Sequence, residues 1–234
     1  MSTRPRGDKV PPRWHRRADA RPDELLSAAL EVFGERGFAG ARLEDVAQRA
    51  GVTKGTIYLY FDSKETLFRE VVRAGVGAAV ASGEQFVRDY QGPTAELLAT
   101  FMRRLWEAMR DPANARLARL ASSELGSFPD LLRMYMDEVV LRTRRSISAI
   151  VERGVTRGEF RAVSPVLAGR MVQALCVHVA QAQGFIGAFD RDKASDEQVV
   201  DAVVDLVMHG VLATPIADKC PRTHIIKSPR RRRQ

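Results

Sequence analysis

The chain has 234 residues, 45% of them hydrophobic, which is enough for one large helical domain or for a small domain joined to a larger one. No run of about 18 apolar residues occurs, and Pro11 and Pro12 stand where a signal peptide would be apolar, so neither a membrane span nor an export signal is expected. We predict a cytoplasmic protein. Cys176 and Cys220 are predicted to be free thiols, because they share no motif and no disulfide framework.

The formal net charge of +8 is concentrated at the two ends of the chain. Residues 1–21 carry +5 and residues 219–234 carry +7, so the segment between them carries −4. We predict a basic, disordered N-terminal arm over 1–21 and a basic C-terminal tail over 215–234. Such tails attract any polyanion, so bulk charge does not define the function, and the contribution of the tails to nucleic-acid binding is left open.

From residue 22 to about residue 212 the apolar residues recur with helical spacing, and no segment alternates as the strands of a hairpin do. The pattern predicts an all-α chain of three short helices followed by about six longer ones. The predicted helices cover residues 22–37, 43–50, 53–61, 66–90, 94–110, 113–125, 129–157, 165–189 and 196–212.

Several of these predicted helices start with recognisable caps. Thr53 is the expected N-cap of the third helix, and Asp62 with Glu65 forms a capping-box arrangement ahead of the fourth. A second capping box, "SDEQ", begins at Ser195 and opens the last helix.

The second and third helices have the layout of a helix-turn-helix within a domain that we place at residues 22–70. Ala47 is small enough for the two helices to approach closely, and Gly51 can adopt the positive φ that the tight turn requires. The third helix would then enter the major groove of DNA.

The third helix carries its polar and aromatic groups on its outer side, because helical spacing turns Ile57 and Phe61 inward. Hydroxyl and ammonium groups suit phosphates and base edges, glycine allows a close backbone approach, and leucine suits a thymine methyl group. The candidate DNA contacts are Thr53, Lys54, Gly55, Thr56, Tyr58, Leu59, Tyr60 and, at the start of the next helix, Lys64. Two alternatives stay open: the tyrosines as cover for the edge of the core, and the leucine and lysines as ordinary surface residues.

Two motifs in residues 22–73, "AALEVFGERGF" and "LEDVAQRAGVTKGTIYLYFDSKETLF", resemble the DNA-binding domain of the TetR family of bacterial transcriptional regulators. The resemblance covers about the first third of the chain and rests on spacing, turn and capping together. It implies that the residues named above face operator DNA. It also implies that the long C-terminal helices, residues 71–214, form a ligand-binding and dimerisation domain.

The chain departs from the family pattern at three positions. Ala41 and Arg42 precede the second helix where the family usually has Thr or Ser, and since alanine cannot cap, we expect a helix start weaker by about 1 kcal/mol. Arg42 joins the candidate DNA contacts, because its side chain can reach a phosphate or a base. Leu59 replaces a common histidine or tryptophan, so a different base preference is expected. Residues 22–70 carry a net charge of −3, so binding must depend on charge placement and on the basic arm.

The last two helices predict a homodimer. Valines and Leu206 of the last helix cover more than one of its faces, which suits a partner as well as an internal core, and a two-fold pair would present two reading helices to a pseudo-palindromic operator. A thick monomer core is the alternative.

Methionine and aromatic residues suit an adaptable pocket, and the candidate effector contacts are Phe101, Met102, Trp106, Met109, Met134, Met171, Leu175 and His178.

The segments "SFPDLLRMYMDEVV" and "AIVERGVTRGEFR" resemble the C-terminal domains of AcrR- and AefR-like members of the same family. That resemblance implies lipophilic or mixed-polarity effectors.

An enzyme is not predicted, because the sequence has no metal-ligand spacing, no phosphate loop and no nucleophile elbow; we expect neither a metal nor a cofactor. The predicted function is a repressor that a small molecule releases from its operator, and the alternative is an architectural or non-specific DNA-binding dimer without an effector.

Overall fold

A computed structural model describes residues 22–185 and 194–212, with the side chains of residues 184 and 185 left out. The predicted arm, the predicted tail with Cys220, and residues 186–189 of the predicted penultimate helix lie outside the described residues. The helices are α1 (Pro22–Gly40), α2 (Leu43–Arg49), α3 (Lys54–Tyr60), α4 (Lys64–Val72), α5 (Ala78–Asp89), α6 (Thr94–Arg110), α7 (Pro112–Ser123), α8 (Pro129–Tyr135), α9 (Leu141–Thr156), α10 (Pro165–Phe185) and α11 (Asp196–Val211). The predicted all-α architecture is confirmed.

The first four helices pack around an aromatic core; we term α1 to α4 the reading head, after the helix-turn-helix predicted within it. In α1 the backbone leaves the helical region at Gly37 (φ 72°, ψ 167°), a conformation that favours glycine, and the chain turns towards α2. Phe38 then enters the core, where its ring centroid lies 5.6 Å from that of Phe33 and 5.3 Å from that of Phe68. The turn between α2 and α3 contains Gly51 at φ 70°, as the helix-turn-helix layout predicts.

The predicted cap of the fourth helix is wrong by one residue. Ser63, not Asp62, is the N-cap: its Oγ accepts a hydrogen bond from the amide of Thr66 at 3.1 Å. Ser63 is extended (φ −152°, ψ 161°), the backbone conformation that an N-cap adopts, and Thr66 therefore occupies the third position that had been assigned to Glu65. The predicted box at Ser195 is confirmed, with Gln198 N donating to Ser195 Oγ at 3.2 Å and Ser195 N to Gln198 Oε1 at 2.8 Å.

Two of the long predicted helices are each interrupted by one π-helical turn. Arg73–Gly77 joins α4 to α5, and Met136–Val140 joins α8 to α9. The two turns pack against each other, and the guanidinium of Arg73 reaches the carboxylate of Glu138 at 3.0 Å. Short π turns inside α-helices are frequent at functional sites.

The buried residues form two clusters that do not follow the predicted boundary at residue 70. The first cluster joins α1 to α4 with α7 and α8, and includes Leu117, Leu125 and Tyr135. The second joins α6, α9, α10 and α11, and includes Cys176, whose burial raises the pKa of its thiol to about 12. The reading head thus shares its core with two helices of the larger domain, so a movement of α7 or α8 is transmitted to it through packed side chains.

Candidate nucleic-acid interface and effector cavities

The recognition helix α3 is held by its inner face and leaves its outer face in solvent. Ile57 is fully buried, and Phe61 just after the helix is also buried. Leu59 is 84% exposed, Tyr58 42% and Tyr60 47%. Leu59 packs little at such exposure, and the two tyrosines of this seven-residue helix keep nearly half of their surface in solvent, which favours contact with a partner over cover for the core.

The start of α3 is ordered by its own hydroxyl groups. Thr53 Oγ1 accepts a hydrogen bond from the amide of Thr56 at 3.2 Å and lies 2.9 Å from Thr56 Oγ1. A Cβ atom at Gly55 would meet only Thr53 Oγ1, at 3.8 Å, so packing within the protein does not require glycine there. The absence of a side chain at Gly55 leaves the outer surface of the first turn open to a close approach.

An acidic side chain lies between two of the predicted DNA contacts. Lys54 Nζ is 2.7 Å from Glu44 Oε1 of α2, and the hydroxyl of Tyr58 donates to the same oxygen at 3.2 Å. The hydrogen bond from Lys54 is the largest cause that lowers the pKa of Glu44 to about 2. Sequence reasoning did not single out Glu44, because the spacing from α2 to α3 gives no side-chain distances.

The structure gives Lys64 a role inside the reading head. Its ammonium donates to the carbonyl oxygens of Phe38 at 2.9 Å and Ala39 at 3.0 Å, and it lies 4.8 Å from the centroid of the Phe38 ring. One of its three N–H groups is left for a phosphate. Contact between Lys64 and DNA stays a prediction, but the lysine also caps the end of α1.

Arg42 is the N-cap residue of α2 and its side chain is exposed. The cap weakness expected at Ala41 was assigned to the wrong residue, because Arg42 is the N-cap; Asp45 holds this helix start, its Oδ2 accepting from the amide of Arg42 at 3.2 Å. Asp45 also pairs with Arg36, at 2.7 Å, and so ties the start of α2 to α1. Ala41 itself is buried, which gives a packing reason for a small residue at that position.

Two cavities lie side by side in the larger domain. The first, which we term the α5 cavity, has a volume of about 430 Å³ and lies between α5, α6 and α9. The second, the α10 cavity, has a volume of about 330 Å³ and lies between α6, α7, the α8–α9 segment and α10. Both volumes fall within the roughly 300–1,000 Å³ typical of small-molecule sites. The wall between the two cavities consists of Leu105, Met109, Val139 and Thr143.

Three of the eight predicted effector residues line these cavities. Phe101 lines the α5 cavity, His178 the α10 cavity, and Met109 both. Met102, Trp106 and Met134 are buried core residues away from both cavities, because the helix faces that carry them pack against neighbouring helices. Met171 and Leu175 line a different, open groove between α10 and α11.

Besides His178, polar groups in the cavities come from residues that sequence reasoning missed. In the α10 cavity the guanidinium of Arg144 donates to the side-chain oxygen of Gln173 at 3.1 Å, and Gln173 donates to the carbonyl of Val140 at 2.8 Å. In the α5 cavity Arg104 lies with its guanidinium carbon 3.8 Å from the centroid of Phe86. Arginine at an apolar helix position is not a pocket signal by itself, so only the packing reveals these groups.

Within residues 22–185 and 194–212 no cluster of His, Cys, Asp and Glu side chains is placed to hold a metal ion. Over the same residues no helix combines the length and the apolar character that crossing a membrane requires.

An exposed helix on a helix-turn-helix, attached to a larger helical domain, is the layout of a DNA-binding regulator. Comparison with known proteins agrees. Residues 25–71 match the profile described as bacterial regulatory proteins of the tetR family, and residues 96–210 match the AefR-like transcriptional repressor C-terminal domain. The transcriptional regulator RutR of Escherichia coli K12 is 32% identical over 203 residues, which is 84% of this chain and 92% of RutR. The chain belongs to the TetR family of transcriptional regulators.

Solved structures show the same fold. A TetR-family transcriptional regulator from Mesorhizobium loti has a TM-score of 0.67 and 25% identity, over 85% of this chain and all of that one. The regulator FadR of Bacillus subtilis, in complex with stearoyl-CoA, has a TM-score of 0.67 and 22% identity, over 81% of this chain and 99% of FadR. The SmeT–triclosan complex has a TM-score of 0.70 and 20% identity, over 90% of this chain and all of SmeT.

Proposed function

We propose that the protein is a homodimeric repressor that binds an operator through α3 and leaves it when a small molecule fills the cavities of the larger domain. The observation that carries the proposal is the outer face of α3, where Leu59 is 84% exposed and Tyr58 and Tyr60 are nearly half exposed. Regulators of this family bind operator DNA and small-molecule effectors and act as dimers, which supports each part of the proposal.

The surface that supports the dimer is formed by α10 and α11. Val166, Leu167 and Met171 of α10 are each at least half exposed, and so is Leu206 of α11. An apolar groove of about 460 Å³ runs between the two helices beside them. A second copy of the chain would bury these side chains symmetrically, as a two-fold interface requires.

Substitution of Leu206 by glutamate is expected to break the dimer. Each interface would contain the new carboxylate twice and without a partner, so we expect the dissociation constant of the dimer to rise by about 100-fold or more. Sedimentation equilibrium measures this constant. The matched control is Leu59→Glu, which makes the same change on α3 and should leave the dimer intact; equal dimerisation of both variants would contradict the proposed interface.

The chemistry of the cavities favours a largely apolar effector with one anionic or hydrogen-bond-accepting group. Apolar side chains, alanines included, form most of the walls, while Arg104 in one cavity and Arg144 in the other offer guanidinium donors. Stearoyl-CoA, in complex with FadR, and triclosan, in complex with SmeT, each combine an apolar part with a polar or anionic group, which is compatible with such a class.

A first route by which an effector can act on α3 runs through the two π turns. Val76 of the first turn and Val139 of the second both line the α5 cavity, and the Arg73–Glu138 pair links the same turns. Because the first turn is continuous with α4, a ligand that pushes on Val76 shifts α4, the last helix of the reading head.

A second route runs through α7. Glu124, just after α7, accepts hydrogen bonds from the amides of Phe38 at 2.8 Å and Ala39 at 3.3 Å. Lys64 holds the carbonyls of the same two residues from the other side. Ala121 and Ser122 of α7 line the α10 cavity. A ligand in that cavity can therefore displace the end of α7 and with it the hydrogen bonds that Glu124 accepts from α1.

For release, the effector must bind the non-DNA arrangement of the two reading heads more tightly than the DNA-bound one. A ligand with equal affinity for both arrangements would leave DNA binding unchanged.

Selection of bound duplexes from a random pool, followed by gel retardation, tests the proposed function. We expect the enriched duplexes to contain an inverted repeat and to bind far more tightly than unselected DNA. The rival, a non-specific dimer driven by the basic tails, predicts no enriched sequence. Removal of residues 1–21 and 215–234 separates the two further, since a specific regulator keeps its sequence preference and loses mainly affinity and salt dependence.

Filling the α5 cavity is expected to weaken the effector response while leaving DNA binding unchanged. Ala108 lines that cavity, and Ala108→Phe would occupy part of its 430 Å³. For a ligand found by thermal-shift screening, we expect its affinity to fall by about 10-fold or more, since each buried methylene displaced is worth about 0.8 kcal/mol. Ala149→Phe, on an exposed position of α9, is the control. An unchanged ligand affinity in Ala108→Phe would place the effector elsewhere.

A further inference from the structure

The only charged residue of the recognition helix α3 forms an ion pair with an acidic residue of α2. Lys54 is the single charged side chain in α3, and its ammonium lies 2.7 Å from Glu44 Oε1. The hydroxyl of Tyr58 donates to the same carboxylate oxygen at 3.2 Å, and the Lys54 ammonium lies 5.7 Å from the centroid of the Tyr58 ring. Glu44 therefore gathers two of the predicted DNA contacts into one cluster on the outer surface of the reading head.

The cluster is built so that a phosphate can replace the carboxylate. The side chains of Lys54 and Glu44 are 68% and 41% exposed, and ion pairs in solvent are weak. The lowered pKa of Glu44, about 2, keeps the carboxylate charged at any pH at which DNA binding is measured. A phosphate oxygen and a carboxylate oxygen are alternative acceptors for the same ammonium and hydroxyl donors.

The electrostatics of the reading head make this competition matter. Residues 22–70 carry a net charge of −3, and two of their other cations, Arg36 and Arg49, are also engaged by acids of the same domain. Binding to arbitrary duplex DNA is almost entirely electrostatic, so one lysine neutralised in each protomer weakens it directly. At an operator sequence, base contacts hold α3 in the groove and bring phosphates close to Lys54. A phosphate can then replace Glu44 as the partner of the lysine ammonium.

We propose that Glu44 is a specificity-determining residue that competes with DNA phosphates for Lys54 and Tyr58. It therefore weakens binding to any DNA whose base sequence does not make favourable contacts with α3. The inference rests on the proposed DNA-reading function of α3. It assigns to α2 a side chain that acts against non-specific binding, in addition to the outward residues of α3 that favour DNA.

The test is Glu44→Gln in the full chain, measured by fluorescence anisotropy on a random-sequence duplex and on a duplex enriched by selection. The matched control is Glu31→Gln, which removes one exposed, ion-paired acid of the same domain that contacts Arg49 rather than α3. On the random duplex we expect Glu44→Gln to bind about 5-fold more tightly, with a salt slope steeper by about 0.9 for each protomer, because Lys54 is freed for a phosphate. On the enriched duplex the slope should stay unchanged, since Lys54 already contacts a phosphate there. The double variant Glu44→Gln with Lys54→Gln should lose the gain on random DNA.

The proposal is overturned if Glu44→Gln matches Glu31→Gln on the random duplex, or if it binds either duplex more weakly than the unaltered protein. Weaker binding would mean that Glu44 holds the two side chains in the arrangement that DNA needs. Failure of the proposed function gives a different result, because selection would then enrich no duplex. The affinities of the two variants for random DNA can still be compared in that case.

Discussion

Substitution of Leu59 by glutamate is expected to remove operator binding while leaving the fold intact. Leu59 is the most exposed large apolar residue of α3, at 84%. In the groove the new carboxylate would face phosphates and base acceptors, a like-charge juxtaposition that costs several kcal/mol, and it would replace an apolar contact. With two copies per operator, we expect affinity for a selected duplex to fall by about 100-fold or more, as measured by gel retardation.

Gln91→Glu is the control for the added charge, because this exposed residue lies between α5 and α6, away from the reading head. It should change operator affinity only slightly. The free energy of unfolding of Leu59→Glu should stay within about 0.5 kcal/mol of the unaltered protein, as for most surface changes. Retained operator binding by a folded Leu59→Glu dimer would show that α3 is not the reading helix.

The second large effect concerns stability. Phe38 is fully buried and contacts three rings, those of Phe33, Phe68 and Phe128, the last at a centroid distance of 4.8 Å. Phe38→Ala should reduce the free energy of unfolding by about 3–5 kcal/mol, through lost burial and the cavity left behind. For a protein of this size each kcal/mol corresponds to roughly 2–4 °C in Tm, so thermal denaturation followed by circular dichroism should show a shift of about 6–20 °C.

Phe86→Ala provides the comparison for this measurement. Phe86 is half-buried on α5 and packs against Tyr90 and Arg104 at the surface, so its removal should cost about 1–2 kcal/mol. Because Phe38 belongs to a core shared with α7 and α8, its loss should lower the stability of the reading head and the larger domain in one transition. Two separate transitions in Phe38→Ala would contradict the shared core.

Local rules in the sequence determine most of the helical framework, and they predicted it well. Helical spacing separated buried Ile57 from exposed Leu59 because the two positions lie on opposite sides of a short helix. Turn chemistry predicted the positive φ at Gly51 and the break at Gly37. The cap of α4 was misjudged because Asp62 and Ser63 are both good cap residues, and only the backbone conformation decides between them.

The residues that line the cavities were predicted poorly, because lining a cavity depends on the packing of several helices. Met102 and Met109 lie on the same helix, yet the first is fully buried in the core and the second lines both cavities. The π turns and the Glu44 cluster were missed for a related reason: both depend on distances between segments, which spacing along one helix does not give.

The most direct test of the account is hydroxyl-radical footprinting of the protein on a selected duplex, combined with the mass of the complex. Two copies of α3 in a symmetric dimer should protect two patches related by a two-fold axis, with centres about 10 base pairs or a multiple of that apart, and two protomers should be present per site. One protected patch with one protomer, or protection that does not depend on the sequence, would contradict it.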